Sequence, residues 1–216
     1  GIVTMFTRSQ QKVGFARTHL QEKINAFFMH KHVEIPEHIK HITDQYIALV
    51  SGALGGPDLP PAADEPTIFP SENDEIIVND IVGPYVHTMH KLVAIHQGTT
   101  WQTKFWDIES WILMISLLRK AEPQVRVFLT CGSESEVHMA EQTRQAFDAN
   151  VIIVQKLPIM SLGALYKRMD VVIGCDKGPI HLAASVVTPT VSLYRSSDGA
   201  RSGPRGLKHA VIQVSM

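Results

Sequence analysis

The feature that most constrains this chain is the alternation of short apolar runs with helical patterns between residues 92 and 194. The apolar runs are predicted as strands at residues 92–96, 125–130, 151–154, 171–174 and 190–194. Helical segments separate them, and connections of that length join parallel strands through right-handed crossovers. The sequence therefore predicts an α/β fold with an open, doubly wound parallel sheet that helices cover on both faces.

The helices between these strands are predicted from apolar residues at spacings of three and four. Asp107 is a suitable N-cap for the first helix, and Ser133 or Glu134 begins the second. The predicted spans are residues 107–120, 133 or 134 to 149, 160–168 and 179–186.

The turn before the last of these helices has the composition of a ligand-binding turn. Gly178 lets a ligand approach the backbone, and Pro179 suits the first helical position. Free amides at such a helix start attract phosphate, and Asp176 and His181 are expected to face the same crevice. An ordinary structural turn is the alternative, because a strand, a turn with one glycine and a helix occur in many α/β proteins.

Residues 1–84 lack this alternation and are predicted to form a partial N-terminal domain. Weak strand patterns lie at residues 1–6 and 12–15, and a helical pattern from Pro36 ends at Gly55-Gly56. The proline-rich residues 56–73 predict an extended connection, followed by a helix at about residues 74–82. We expect the domain boundary near residues 84–91, with residues 85–216 forming the C-terminal domain.

Composition excludes several classes of protein. The chain is 44% hydrophobic, which is ample for a buried core, and its formal net charge of −1 favours neither nucleic acid nor anionic lipid. Residues 111–118, the longest apolar run, are too short to cross a bilayer, and residues 1–9 lack a signal-peptide pattern. Cys131 and Cys175 follow apolar strands and are expected to be free, buried thiols.

Histidine pairs and tryptophans raise the possibilities of a metal site and of a nucleic-acid platform, and neither is expected. No cysteine or carboxylate cluster joins the histidines at a zinc-like interval, and no basic stripe accompanies the tryptophans. Packing in the core or at a domain interface is expected for the indole rings. The residues concerned are His30 with His32, His38 with His41, His87 with His90, and Trp101, Trp106 and Trp111.

Candidate phosphate-binding residues follow the first strand of the sheet, at the edge where ligands of such sheets bind. Lys104 provides a compact cation, and Thr99 and Thr100 provide hydroxyls that could hold a diphosphate together with helix amides. The alternatives are a solvated loop lysine and threonines that cap a helix.

Candidate nucleoside- and sugar-binding residues follow later strands. Glu134 or Asp176 could accept hydrogen bonds from ribose or sugar hydroxyls, and Met160 could pack on a purine. The alternatives are a glutamate favoured by the dipole at a helix start and a methionine that belongs to the core.

Four ordered segments stand out among these loops: His96-Gln97-Gly98-Thr99-Thr100 with Lys104 and Trp106, Leu129-Thr130-Cys131-Gly132-Ser133-Glu134, Leu157-Pro158-Ile159-Met160-Ser161-Leu162, and Asp176-Lys177-Gly178-Pro179-Ile180-His181-Leu182-Ala183-Ala184. Their order and spacing resemble glycosyltransferase family 9, and within it the ADP-heptose:lipopolysaccharide heptosyltransferases. The resemblance covers essentially all of residues 85–216 and extends more weakly to residues 26–28 and to the helix near His41.

The resemblance implies a GT-B fold, in which a Rossmann-like C-terminal domain binds the nucleotide sugar and a truncated Rossmann-like N-terminal domain binds the acceptor. It implies inverting transfer of heptose from ADP-heptose to the lipid-linked Kdo/lipid A inner core of lipopolysaccharide at the inner membrane surface. It implies a cytoplasmic location, with peripheral attachment to the cytoplasmic membrane face as an option. No metal or other cofactor is implied, since lysine and helix amides can neutralise the leaving diphosphate.

The resemblance also assigns donor-binding roles by position. Thr99, Thr100 and Lys104 would contact the phosphates. Glu134 and Met160 would lie at the nucleoside. The diphosphate-sugar would lie at Asp176, Lys177, Gly178 and His181.

Three departures from the family pattern affect what this chain can do. The family's N-terminal strand and glycine loop carry an aspartate base, which is expected upstream of Gly1, so no catalytic residue is assigned. Lys177 replaces the usual serine or threonine, and Arg195 replaces a glycine after the last strand. The alternative to a transferase is therefore a non-catalytic nucleotide- or sugar-binding module.

Overall fold

The computed structural model describes residues 2–20, 22–56, 68–86, 90–98, 106–147 and 149–214. The helices are α1 (Ile2–Met5), α2 (Ile42–Leu54), α3 (Glu72–Val86), α4 (Ile108–Ala121), α5 (Glu134–Arg144), α6 (Ile159–Lys167), α7 (Gly178–Ser185) and α8 (Gly199–Ser202). The strands are β1 (Val13–Phe15), β2 (Lys31–Val33), β3 (Leu92–His96), β4 (Arg126–Thr130), β5 (Val151–Val154), β6 (Val171–Cys175), β7 (Thr190–Tyr194) and β8 (His209–Gln213).

The chain divides into two compact units. The first comprises Gly1–Ala63 with Ala200–Ser202, and the second comprises Asp64–Gly199 with Gly203–Met216. This division differs from the boundary expected near residues 84–91, because α3 belongs to the second unit. Val78 of α3 is fully buried in the core of that unit, and Ser161 of α6 donates a hydrogen bond to Asp74 at 2.7 Å.

The first unit contains a parallel pair of short strands, β1 and β2, with Val13 opposite Lys31. The strand expected at residues 12–15 is therefore confirmed. The weak strand expected at residues 1–6 is wrong, since Ile2–Met5 forms a helical turn instead. The amide of Phe6 donates to the carbonyl of Val3 at 3.2 Å, so the segment satisfies its backbone locally and needs no partner strand.

Helix α2 of the first unit has a defined cap at each end. The ring Nδ1 of His41 accepts a hydrogen bond from the Thr43 amide at 3.3 Å, which caps the start. Gly55 ends the helix with a φ of 66°, a left-handed conformation that glycine adopts without a Cβ penalty. The helix end predicted at Gly55-Gly56 is confirmed.

The second unit is built on a sheet of six parallel strands in the order β5-β4-β3-β6-β7-β8. The parallel, doubly wound sheet predicted from the sequence is confirmed. The strand order reverses between β3 and β6, so the connections that leave these two neighbours diverge. A crevice at such a reversal, beyond the carboxyl ends of the strands, is where ligands of this kind of sheet bind.

Different helices cover the two faces of this sheet. Leu92 and Ala94 of β3 join a core shared with α3, α6 and α7. Val93 and Ile95 of the same strand join a second core shared with α4 and α5, in which Trp111 is fully buried as the sequence led us to expect. Burial on both faces explains why β3 is apolar at nearly every position.

Three elements differ from their predicted bounds. Helix α3 begins before residue 74 and continues through Pro84, which lies in its last turn. Helix α5 ends at Arg144 rather than near residue 149, because the amides of Ala146 and Phe147 bond to carbonyls three residues back and tighten the chain into turns. Strand β8 was not expected. It forms an edge of the sheet, and four of its five residues are exposed although Ala210, Val211 and Ile212 are consecutive apolar residues.

Candidate functional site

A pocket of about 310 Å³ opens at the carboxyl ends of β3, β4 and β6, next to the reversal of strand order. Each of these strands delivers polar groups to it, and the loop after β5 adds a further lysine. The lining residues are His96, Thr130, Cys131, Gly132, Ser133, Glu136, Lys156, Leu157, Leu162, Lys177 and Pro179. The pocket therefore combines carboxylate, ammonium, imidazole and hydroxyl groups with apolar walls.

Glu136, in the first turn of α5, is the buried carboxylate of this pocket and is 7% exposed. Its Oε2 accepts a hydrogen bond from the Gly132 amide at 2.6 Å, and its Oε1 accepts one from the ammonium group of Lys177. Its own amide donates to Oγ of Ser133, the N-cap, at 3.4 Å. The carboxylate thus joins the turn after β4 to the turn after β6.

Gly98, in the loop after β3, packs directly against this carboxylate. A Cβ at Gly98 would overlap the carboxyl group of Glu136. The preceding residue, Gln97, is buried and donates a hydrogen bond to Oγ1 of Thr143 at 2.8 Å, which fastens the loop to α5. The loop that leads to Thr99 is therefore anchored directly beneath the pocket.

The pKa of Glu136 is well below its usual range. Burial of the carboxylate acts in the opposite direction, since it disfavours the charged form. The neighbouring His96 ring, the Lys177 ammonium and the Gly132 amide outweigh burial. Glu136 is therefore a fixed negative charge inside the pocket at neutral pH.

His96 continues the polar contacts into the interior and is 3% exposed. Its Nδ1 hydrogen-bonds with Oγ1 of Thr130 at 3.2 Å, and that hydroxyl hydrogen-bonds with the phenol of Tyr166 at 3.0 Å. Its Nε2 lies 3.6 Å from Oε1 of Glu136 and has no hydrogen-bond partner among the described residues. We call Lys177, Glu136, His96, Thr130 and Tyr166 the buried polar chain.

Tyr166 lies at the inner end of the buried polar chain, on α6. Burial raises the pKa of its phenol, with a smaller opposing effect from the Thr130 hydroxyl. Tyr166 therefore remains a neutral hydroxyl that can donate or accept a hydrogen bond. Its backbone carbonyl accepts a hydrogen bond from the Thr188 hydroxyl at 2.8 Å, which also ties α6 to the segment that precedes β7.

The strand, turn and helix predicted around Gly178 are confirmed as β6 and α7. Lys177 occupies the N-cap position of α7. Its ammonium group can only donate, so it cannot cap the helix amides and instead donates to Glu136. Asp176 accepts a hydrogen bond from the Ser197 hydroxyl at 2.6 Å, and its Oδ1 lies 3.8 Å from Nε2 of His181. Asp176 and His181 thus lie beside each other at the start of α7, as expected.

The other predicted donor-binding residues lie at the same edge of the sheet or outside the described part. Glu134 is exposed at the first position of α5, and Met160 is partly buried in the first turn of α6. Thr99, Thr100 and Lys104 lie outside the described residues. Among the predicted donor-binding residues that the structure describes, Lys177 is the one that lines the pocket.

Sequence reasoning missed His96, Thr130, Glu136 and Tyr166 as members of this site. One signal could have indicated Glu136. The spacing Ser133-x-x-Glu136 is that of a capping box, in which the glutamate folds back over the start of its helix. Here it folds back to the Gly132 amide and so lies over the end of β4.

The two cysteines are free and buried, as expected. Burial raises the pKa of Cys131 and of Cys175, each to about 11. Nearby carboxylates, Glu136 for Cys131 and Asp176 for Cys175, add to that effect. Although Cys131 lines the pocket, it is a neutral thiol and a poor nucleophile at neutral pH.

Metal-binding clusters and membrane-spanning helices are both absent from the described residues. Within those residues, no cluster of three or more histidine, cysteine, aspartate or glutamate side chains is arranged to hold a metal ion. The described helices likewise include none with the length and apolar character needed to cross a membrane.

Comparison with known proteins identifies the family. Residues 1–216 match the family model described as glycosyltransferase family 9 (heptosyltransferase). The chain belongs to glycosyltransferase family 9. The resemblance noted in the sequence is thereby confirmed.

Curated relatives in this family are lipopolysaccharide heptosyltransferases. Lipopolysaccharide heptosyltransferase 1 of Campylobacter coli is 27% identical over 115 residues, which cover 52% of this chain and 34% of that protein. The core heptosyltransferase OpsX of Haemophilus influenzae is 22% identical over 214 residues, which cover 99% of this chain and 58% of that protein. The chain thus matches less than two thirds of the length of either relative.

Solved structures of family 9 proteins have the same fold. A Veillonella parvula family 9 protein aligns with a TM-score of 0.73 at 18% identity, over 97% of this chain and 57% of that chain. The Escherichia coli heptosyltransferase WaaC with ADP-2-deoxy-2-fluoro heptose aligns with a TM-score of 0.66 at 20% identity, over 93% and 57% of the two chains. The predicted GT-B type fold with a Rossmann-like sheet is confirmed.

Proposed function

We propose that this family 9 chain binds ADP-heptose at the pocket between β3, β4 and β6, as the donor side of an inverting heptosyltransferase. The observation that carries the proposal is the buried Glu136 carboxylate beside the Lys177 ammonium group, at the reversal of strand order. A carboxylate accepts hydrogen bonds from sugar hydroxyls and an ammonium group attracts phosphate, so the pair suits a nucleoside diphosphate.

The nucleoside would lie toward Glu136. Glu134 was the carboxylate expected there, and it is exposed on α5, whereas Glu136 lines the pocket. We therefore assign the hydroxyl-accepting role to Glu136 and retain Glu134 as the competing candidate. The apolar side chains of Leu157 and Leu162 line the same pocket and offer a surface for a base, near the predicted contact at Met160.

The diphosphate would lie toward the start of α7. The exposed Gly178 leaves open space where a Cβ would stand, so a phosphate can approach the helix amides. Lys177 and the predicted contacts Thr99, Thr100 and Lys104 would add positive charge and hydroxyl donors. This arrangement can stabilise a leaving diphosphate electrostatically, so the proposal includes no metal.

The acceptor in this proposal is the lipid-linked Kdo/lipid A inner core, and the chain would meet it at the cytoplasmic face of the inner membrane. It is supported by two relatives, which are named as lipopolysaccharide heptosyltransferases. We assign no catalytic base.

Calorimetric titration of the whole chain with ADP and with ADP-heptose tests the donor site. We expect binding of both ligands, and we expect Lys104→Ala to weaken ADP binding roughly tenfold through loss of a charged phosphate contact. Lys120→Ala, on α4, removes the same charge elsewhere and serves as the control. No heat of binding at millimolar ADP would refute the proposed function.

A transfer assay with ADP-heptose and a Kdo-lipid A acceptor tests the reaction itself. Formation of a heptosylated product with inverted anomeric configuration supports the transferase. Donor binding without product would instead identify the chain as a non-catalytic nucleotide-sugar-binding module.

A further inference from the structure

The ion pair between Lys177 and Glu136 occupies the position where the proposed donor would need both groups. Lys177 comes from the turn after β6 and Glu136 from the first turn of α5, so the pair bridges the mouth of the pocket. The Glu136 side chain is 8% exposed and the Lys177 side chain 27% exposed. The carboxylate is therefore the inner member of the pair and the ammonium group the outer one.

Glu136 offers a ligand little access while this pair exists, because its side chain is 8% exposed and Lys177 lies on its outer side. Its Oε2 holds the Gly132 amide and its Oε1 holds Lys177, with His96 Nε2 at 3.6 Å. The Gly132 donor is a backbone amide and the His96 ring is hydrogen-bonded to Thr130, so neither group can move away from Glu136. Lys177, at the end of a flexible four-carbon stem, is the partner that can leave.

His96 makes such a departure energetically feasible. Its Nε2, which has no hydrogen-bond partner within the part of the chain that the structure describes, is buried beside Oε1 of Glu136, so the carboxylate retains a polar neighbour when Lys177 leaves. A ligand hydroxyl would supply the missing hydrogen bond. With neither His96 nor a ligand hydroxyl beside it, the buried carboxylate would be destabilised by the departure of Lys177.

The start of α7 provides a second location for the ammonium group. Lys177 is the N-cap residue of this eight-residue helix, and no side-chain cap is bonded there. The adjacent Gly178 is open to solvent on its Cβ side. An anion at the helix start would therefore be within reach of the Lys177 stem and of the Gly178 amide.

We infer that Lys177 exchanges partners during donor binding, from Glu136 in the free protein to the diphosphate in the complex. The inference rests on the proposed function and extends it, because it makes Lys177 a latch over the pocket and a specificity-determining residue. The latch releases for a ligand that brings both hydroxyls for Glu136 and an anion for Lys177. A nucleoside without phosphates must displace Lys177 from Glu136 but provides no anion for the displaced ammonium group to bind.

The exchange predicts opposite effects on two ligands when the ammonium group is removed. In Lys177→Met, adenosine no longer competes with the lysine for Glu136, so its affinity should rise about threefold, as one weak hydrogen bond would give. ADP loses a charge-assisted phosphate contact, so its affinity should fall about tenfold. The ratio of the two dissociation constants should therefore shrink about thirtyfold.

The experiment titrates the whole chain with ADP by calorimetry and with adenosine by ligand-observed NMR up to millimolar concentration. The variants are Lys177→Met, Lys177→Thr, which restores the residue type usual in the family, and Lys120→Met as the matched control for lost charge. Thermal unfolding of each variant establishes that it is folded. Lys177→Thr should shift both affinities in the same directions as Lys177→Met.

The outcomes separate the latch from the proposed function. Opposite changes for adenosine and ADP in the Lys177 variants, with none in Lys120→Met, support the partner exchange. Equal weakening of both ligands would make Lys177 an ordinary contact and overturn the exchange, as would unchanged affinities. If the unaltered chain binds neither ligand, the proposed function falls and the exchange falls with it.

Discussion

The interior and the rim of the site are built differently. In the interior, Glu136, His96 and Thr130 are buried and hydrogen-bonded or ion-paired to other protein groups. On the rim, Glu134 and His181 are exposed at the starts of α5 and α7. Buried polar groups require internal partners, whereas exposed groups are solvated without them.

This difference separates two kinds of functional residue. Changes to buried residues that line the pocket should lower both stability and ligand binding, because the same contacts serve the fold and the pocket. Changes on the rim should alter binding with little effect on stability, as most surface substitutions do. Four predictions, ordered by the expected loss of stability, test whether the comparison holds.

The largest effect is expected from Glu136→Ala. The change removes one partner of a buried ion pair and leaves the Gly132 amide without its acceptor. We expect the free energy of unfolding to fall by about 3 kcal/mol, near the lower end for breaking a buried pair, because Lys177 can turn toward solvent. Urea unfolding measures the loss.

Glu134→Ala is the matched control on the rim, two residues earlier on the same helix. It removes a carboxylate that interacts with the helix dipole, worth about 0.3 to 1 kcal/mol. A loss as large as that of Glu136→Ala would show that the exposed carboxylate also has a structural role, and the contrast between interior and rim would fail.

Acid unfolding measures how much the negative charge of Glu136 contributes to stability. The native pKa of Glu136 lies below the ordinary glutamate value of about 4.3. The unfolded chain therefore takes up the proton first, so stability from this group is complete above about pH 5 and is lost as the pH falls toward the native pKa. Glu136→Gln should weaken this acid dependence relative to the unaltered chain. An acid unfolding curve of Glu136→Gln with the same pH dependence as that of the unaltered chain would contradict the assignment.

A smaller effect is expected from Gly98→Ala. The added Cβ would overlap the carboxyl group of Glu136, which is held from several sides and cannot move aside freely. Overpacking of this kind typically costs about 1 to 3 kcal/mol, which thermal or urea unfolding would detect.

Gly178→Ala provides the corresponding change on the rim. The space around a Cβ there is open, so stability should stay within about 0.5 kcal/mol. ADP affinity should fall, because the new methyl group stands where we propose that phosphate approaches. A stable Gly98→Ala variant, or an unstable Gly178→Ala variant, would reverse the comparison.

The sequence predicted the strands and the turn that surround the site better than the buried side chains inside it. Strands β3 to β6 were predictable because each contains at least three consecutive apolar residues and helical patterns separate them. The edge strand β8 has a comparable run, Ala210-Val211-Ile212, but it lies mostly exposed after an irregular segment and was not recognised. Asp176, Gly178 and His181 could be predicted to lie together because they are close in sequence around the turn after β6. Glu136 was missed because its main partner, Lys177, lies 41 residues away along the chain. A pairing between turns on different strands depends on the order of strands in the sheet, which local patterns do not contain.

The smallest predicted effect is at the inner end of the buried polar chain. Tyr166→Phe removes the hydroxyl that hydrogen-bonds with Thr130 but retains the ring, which is fully buried. Thr130 keeps His96 as a partner, so no buried group is left without a hydrogen bond, and the loss should be about 1 kcal/mol. His181→Ala on the rim should change stability by less than about 0.5 kcal/mol. ADP titration provides a second measurement. Tyr166→Phe should retain wild-type ADP affinity, because the lost hydroxyl bonds to Thr130, and Thr130 still bonds to His96. A marked loss of affinity in Tyr166→Phe at unchanged stability would mean that the polar chain positions Glu136 for the ligand over its whole length.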